Sequence, residues 1–129
     1  MEGTIYKIGV SIPEDFLQGM MDAVTAVVEP IYPGYDRVFS WWPVKGTWRP
    51  LEGSDPYDGT VGQISVADEV RVEFAVREED LRDAVEAVVG SHPYEEPAID
   101  VIPMVPWKSV TGTDGSCRYC RRSSASCGS

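Results

Sequence analysis

The sequence predicts an α+β domain built from two similar halves in the order β-α-β-β-α-β, and three observations predict it. "DAVTAVV" (Asp22 to Val28) and "DAVEAVV" (Asp83 to Val89) agree at six of seven positions, 61 residues apart. Each copy carries apolar residues at helical spacing. Each also follows a run in which apolar and polar residues alternate, the period of a half-buried strand. Two such halves close most simply as a ferredoxin-like sandwich, a four-stranded antiparallel sheet with both helices on one face.

The elements follow in order. Tyr6, Ile8, Val10 and Ile12 alternate on one face of a first strand. Leu17, Met20, Met21, Val24 and Val27 then recur as one stripe of an amphipathic helix, with Pro13, Glu14 and Asp15 suited to its first turn and Pro30 to its end. A second strand is expected from Tyr35 to Trp42. Val70, Val72, Phe74 and Val76 form the inward face of a third strand, whose opposite face carries Glu69, Arg71 and Glu73, joined by Lys7 on the first. Leu81, Ala84, Val85 and Val88 repeat the helical stripe, with Glu78, Glu79 and Asp80 before it and Gly90 as its stop. "EDF" (Glu14 to Phe16) answers "EDL" (Glu79 to Leu81) at a spacing of 65, which predicts a first helix about one turn longer than the second. A fourth strand runs from Ala98 to Ile102.

The chain has 129 residues, enough for one core without disulfide staples. Residues 1–103 are expected to be that domain and residues 104–129 a flexible Ser, Gly, Arg and Cys tail. Residues 1–103 carry seven Lys and Arg against 20 Asp and Glu, a net of −13, and would repel a phosphate backbone, so nucleic acid is excluded as a partner. No apolar stretch approaches a membrane span and the start "MEGTIYK" lacks the pattern of a leader, so a cytoplasmic protein without a membrane partner is expected.

Two stretches invite chemistry. "SHPYEEPAIDVIP" (Ser91 to Pro103) sets the only histidine beside two carboxylates. Pro93 and Pro97 fix φ and extend the residues before them, which suits a stiff bend from helix into strand. His92, Glu95 and Glu96 are also divalent-metal donors, although a zinc site needs at least three protein ligands. The stretch from Trp41 to Gly62 combines tryptophans, glycines and Arg49 in what reads as a long loop. There Trp48 could wall a small-molecule pocket and Arg49 could hold an anionic group, or Trp48 and Leu51 could anchor an interface. No Lys-Ser or Lys-Thr follows its glycines, so it is not a phosphate-binding P-loop. The acidic clusters lack the separation that paired-carboxylate catalysis requires, and no third group marks a Ser–His nucleophile. Cys117, Cys120 and Cys127 lie in the tail, where a lone CxxC is a weak zinc or redox signal.

"GTWRPLEGSDPYDGTVGQ" (Gly46 to Gln63) followed by "HPYEEPAIDV" (His92 to Val101) resembles the standalone YqfO-type domain, also found inserted in Nif-three-like dinuclear-metal proteins. Trp48 stands where that pattern has phenylalanine and Ser65 where it has an acidic residue. The resemblance covers roughly residues 4–103 and implies a CutA/PII-like subunit whose sheet faces the axis of a homotrimer or a larger assembly built from trimers. It implies that Glu69, Arg71 and Glu73 pair between subunits, and that Trp48, Arg49 and Tyr94 contact a small ligand near a subunit boundary. Any divalent metal would fall to His92, Glu95 and Glu96, shared across that boundary. The metal-binding half of the dinuclear-metal relatives, with its several histidines, is absent from the sequence. The expected function is therefore a non-enzymatic sensor or adaptor that binds a small molecule or metal ion, with copper or zinc homeostasis second and a metal-dependent hydrolase third.

Overall fold

The structure is a computed structural model and describes residues 4–111. Strand β1 (Ile5–Ile12) leads through a 3₁₀ turn, Glu14–Phe16, into helix α1 (Leu17–Thr25). After a long connection come β2 (Ser40–Trp48) and β3 (Ser65–Arg77). A second 3₁₀ turn, Glu78–Asp80, opens α2 (Leu81–Ser91), followed by β4 (Ile99–Met104) and a short α3 (Trp107–Thr111). The sheet is antiparallel throughout, ordered β2-β3-β1-β4. This is the ferredoxin-like sandwich that the duplication predicts.

The alternation works as expected. Ile8, Val10 and Ile12 of β1 and Val70, Val72, Phe74 and Val76 of β3 are buried together with Leu17, Met20, Met21 and Val24 of α1 and Ala84 and Val88 of α2. Removing each of these side chains larger than alanine from water contributes about 1.5–3 kcal/mol, the dominant favourable contribution to this fold. Register sets β1 against β3 with Ile8 opposite Phe74 and Val10 opposite Val72, so the inward residues meet as same-face pairs. Both edge strands contain a proline, Pro43 in β2 and Pro103 in β4, which lacks an N–H to offer a further strand.

Three boundaries differ from expectation. The second strand starts at Ser40 and continues through Trp48, so Trp41, Trp42 and Gly46 belong to a strand and the loop proper is 49–64. Local chemistry delays that strand: Tyr32 to Tyr35 closes a tight turn through Tyr35 N–H to the Tyr32 carbonyl (2.9 Å) with Gly34 at φ +89°, and Arg37 sits at φ +53°. The first helix is shorter than the second, 9 residues against 11. It ends at Thr25, where Ala26 N–H turns back to Asp22, while α2 runs through Gly90 and Ser91 and stops at His92, held extended before Pro93. The Asp80 carboxylate also accepts the N–H of Glu29 (2.9 Å), which ties the chain leaving α1 to the start of α2.

The last strand extends to Met104 and α3 follows it, so ordered structure passes the expected boundary at residue 103. The remainder of the expected tail, with Cys117, Cys120 and Cys127, lies outside the described residues. No helix among the described residues is long and apolar enough to cross a membrane.

Candidate functional site

The sheet face away from the helices carries the charges that the sequence assigns to it, and the chain partners them internally. Lys7 pairs with Glu73 (3.4 Å) and Arg71 with Asp100. The Arg71 guanidinium lies across Gly9, where a Cβ would stand 2.7 Å from its terminal nitrogen. Glu69 is the exception in kind. It is buried, at 7% exposure, and its Oε2 accepts a hydrogen bond from the Tyr94 hydroxyl. Gly46 of β2 makes room for it, because a Cβ there would lie 2.4 Å from Glu69 Oε1.

The bend after α2 brings Tyr94 to that carboxylate. His92 is buried, and its Nε2–H donates to the Ser11 carbonyl of β1 (2.7 Å) while Nδ1 accepts the N–H of Tyr94 (3.2 Å). A carbonyl can only accept, so these two bonds fix the neutral Nε2–H tautomer. Burial lowers the His92 pKa below its ordinary value, against the opposing pull of the Ser11 carbonyl and of the Glu69 charge. The ring also stacks obliquely on Tyr94, centroids 4.8 Å apart. His92 thus orients the tyrosine.

The loop 49–64 folds over the same place. Its ends meet, since Trp48 and Ser65 are the final pair of the β2–β3 ladder. Gly62 N–H bonds the Pro50 carbonyl (2.8 Å), and Trp48 Nε1–H donates to the Asp58 carbonyl (3.1 Å). Gly59 has φ +111°, and a Cβ on it would meet Ser65 Oγ at 2.8 Å and Trp48 Nε1 at 3.2 Å, so only glycine fits. Glu95 pins the loop to the bend by accepting the N–H of Asp55 (3.0 Å).

Loop, bend and sheet line an open recess of about 390 Å³, within the range of small-molecule sites. Its aromatic wall is Trp48, Tyr57 and Tyr94, with Trp48 and Tyr57 centroids 5.7 and 6.1 Å from that of Tyr94. Glu69 and Gly46 lie in its lining, and Ser11 marks the β1 side. Burial, then the bond to Glu69 and that carboxylate's charge, push the Tyr94 hydroxyl well above the ordinary phenol range, so it remains a donor at neutral pH.

The structure therefore brings Trp48, Tyr94, Glu95 and Glu96 to one recess. Arg49 does not line it; the side chain is exposed and forms no hydrogen bond or ion pair with another described residue. His92 stands behind Tyr94 with both ring nitrogens engaged, so a metal role would require breaking one of those bonds. Among the described residues, no three of His, Cys, Asp and Glu converge as metal ligands. Glu69, Gly46, Tyr57 and Asp58 complete the site. Glu69 was hidden because a strand carboxylate reads as solvated until the register places Gly46 beside it.

No protein-family model matches the chain. Among curated proteins it is similar to a GTP cyclohydrolase 1 type 2 homolog of Staphylococcus epidermidis, 28% identical over 99 residues, covering 77% of this chain and 27% of that protein. A protein of the same description from Halalkalibacterium halodurans is 30% identical over 101 residues, covering 78% and 27%. The chain thus spans about a quarter of the length of these relatives. Among solved structures, a Bacillus cereus protein related to NIF3 superposes with a TM-score of 0.70 at 26% identity, covering 82% of this chain and 27% of that one. CutA1 from Shewanella (TM-score 0.58, 14% identity, covering 82% and 86%) and Arabidopsis thaliana PII bound to citrate (0.53, 14%, 79% and 78%) share the fold.

Proposed function

From a chain related to the YqfO-type domain of Nif-three-like proteins and folded like CutA and PII, we propose a ligand-binding regulatory or adaptor domain whose site is the recess under loop 49–64. The observation that carries this reading is that three aromatic rings and a buried carboxylate, drawn from four separate segments, line one open recess of ligand size. Trp48 and Tyr94 are the principal contact residues, with Glu69 and Glu95 holding the wall in place. Arg49, exposed and outside the cavity lining, is available to a neighbouring subunit. The chain works as a trimer or a multiple of trimers, the assembly that the family resemblance implies, with Trp42 and Ile102 among the exposed apolar residues of the open sheet.

The cyclohydrolase-type name of the relatives belongs to proteins of which the match covers only 27%, and their activity is not carried over. Divalent-metal capture through His92, Glu95 and Glu96 is the second reading. It needs a His92 nitrogen released from its present bond and ligands from a second subunit.

A thermal-shift screen of metabolite-sized compounds against the full chain, with light scattering for the assembly, tests the first reading. At least one compound should raise Tm by several degrees, and the gain should vanish in Trp48→Ala and Tyr94→Ala. Hits that survive both substitutions, or a screen without hits, would overturn it.

A further inference from the structure

The recess has a chemical bias that its shape alone does not convey. Its lining includes the carboxyl-bearing residues Asp58, Glu69, Glu95 and Glu96, and no Lys, Arg or His. Two of the carboxylates have other tasks: Glu95 accepts a backbone N–H of the loop, and Glu69 accepts the Tyr94 hydroxyl on Oε2. Glu69 Oε1 receives no hydrogen bond from any described residue, nor does an ion pair reach Glu69, although the residue is more than nine-tenths buried. That oxygen is also not sealed off from solvent in the manner of the orphaned Thr25 hydroxyl. A buried carboxylate oxygen left open on a cavity is a strong acceptor in search of a donor, and a positive one satisfies it best.

The aromatic wall points the same way. Ring faces carry negative potential and attract cations, with the greatest gain where water is excluded. Indole and phenol rings beside carboxylates form the combination that recognises ammonium and guanidinium groups on organic ligands. A bare divalent ion fits poorly, because the acidic groups do not converge on one point. They are spread around a volume of about 390 Å³, which suits a charged head on an organic body.

Accordingly, we infer that the recess selects an organic cation, its ammonium or guanidinium group seated on Glu69 Oε1 and its apolar body against Trp48, Tyr57 and Tyr94. This rests on the reading of the recess as a ligand site and narrows it to a ligand class. It also reverses the expectation of an anion held by Arg49.

The test compares three probes of one framework by isothermal titration calorimetry on the full chain: 2-phenylethylammonium, 2-phenylethanol and phenylacetate. Physiological salt screens attraction to the acidic surface at large. The ammonium should bind at one site per chain at least tenfold more tightly than the alcohol, with phenylacetate the weakest. Glu69→Gln should erase the preference for ammonium over alcohol. Because that variant alters a buried bond, circular dichroism checks its fold, and Glu96→Gln, at an exposed position, supplies a second reading with a several-fold loss for the ammonium alone. Equal binding of ammonium and alcohol, a preference for phenylacetate, or an ammonium preference untouched by both substitutions would overturn the cation assignment while leaving the recess a ligand site. Absence of binding by all three probes, alongside hits in the thermal-shift screen, would do the same. Absence in both experiments would remove the ligand site as well.

Discussion

The Tyr94 hydroxyl donates to Glu69 Oε2, a bond across 25 residues of sequence that fastens the bend after α2 to the open face of β3. It keeps a buried carboxylate supplied with a donor and holds a ring against the recess.

Tyr94→Phe removes the donor and leaves the carboxylate in place. Loss of a partner to a buried charged group costs about 1–3 kcal/mol, so the urea midpoint should fall accordingly. Adding Glu69→Gln in a double-mutant cycle should recover part of the loss, and strict additivity would deny the bond any weight.

Alkaline pH should weaken the same contact. The folded chain favours neutral Tyr94, whose pKa is raised by burial, by the bond to Glu69 and by the charges near it. Stabilisation is therefore complete below the unfolded value of about 10 and is lost as pH rises beyond it towards the folded value, because the unfolded chain gives up the proton first. Denaturation midpoints of the wild type should drop more steeply above pH ~10 than those of Tyr94→Phe. Parallel curves would contradict the assignment.

Gly46→Ala should displace Glu69. The added methyl would overlap Oε1, and the carboxylate is bonded and enclosed, so it cannot swing aside freely. A loss of about 1–3 kcal/mol is expected, with altered Trp48 fluorescence as the recess shifts. The same change at Gly19, which has nothing within 4 Å, should be neutral or mildly stabilising.

At the acid end, His92 contributes. Its folded pKa is lowered, so its contribution is present above the unfolded value of about 6.5 and drains away as pH falls towards and through the folded value. As the chain's only histidine, it gives a single imidazole signal whose NMR titration should have its midpoint below 6.5. His92→Ala should flatten the acid limb of stability and cost about 2 kcal/mol for two lost hydrogen bonds. A midpoint at or above the ordinary value would place the ring in water.

By contrast, Asp100→Asn should cost less than about 1 kcal/mol, since the Arg71–Asp100 pair lies at a half-exposed surface and is screened by salt. A larger loss would indicate that assembly buries the pair.

The duplication made the core legible. Val10, Val72, Val24 and Val88 fall where alternation and helical spacing put them, because burial is a property of local periodicity. Strand β2 was harder to place. Trp41 to Trp48 is an edge strand with a proline and little buried surface, so its residues lack an inward stripe and resemble a loop. The importance of Tyr94 could be read from its setting between prolines, but its partner could not. Glu69 differs from Glu73 through what the tertiary structure sets beside it: Glu69 fills the space at Gly46 and meets the Tyr94 hydroxyl, whereas Arg71 fills the space at Gly9 and Glu73 pairs with Lys7. The place of Arg49 outside the lining of the recess was not legible either, since a cation in a glycine-rich stretch says nothing about which side of the chain it occupies.

The walls of the recess come from Ser11, from Gly46 to Asp58, from Glu69 and from the segment after His92. A guest there touches both copies of the duplicated unit at once, and a growing polypeptide cannot hold it until the segment after α2 has been added. Occupancy would then report the joining of the two halves, and at a hundredfold excess over Kd it would add about 2.7 kcal/mol to the stability of the folded domain.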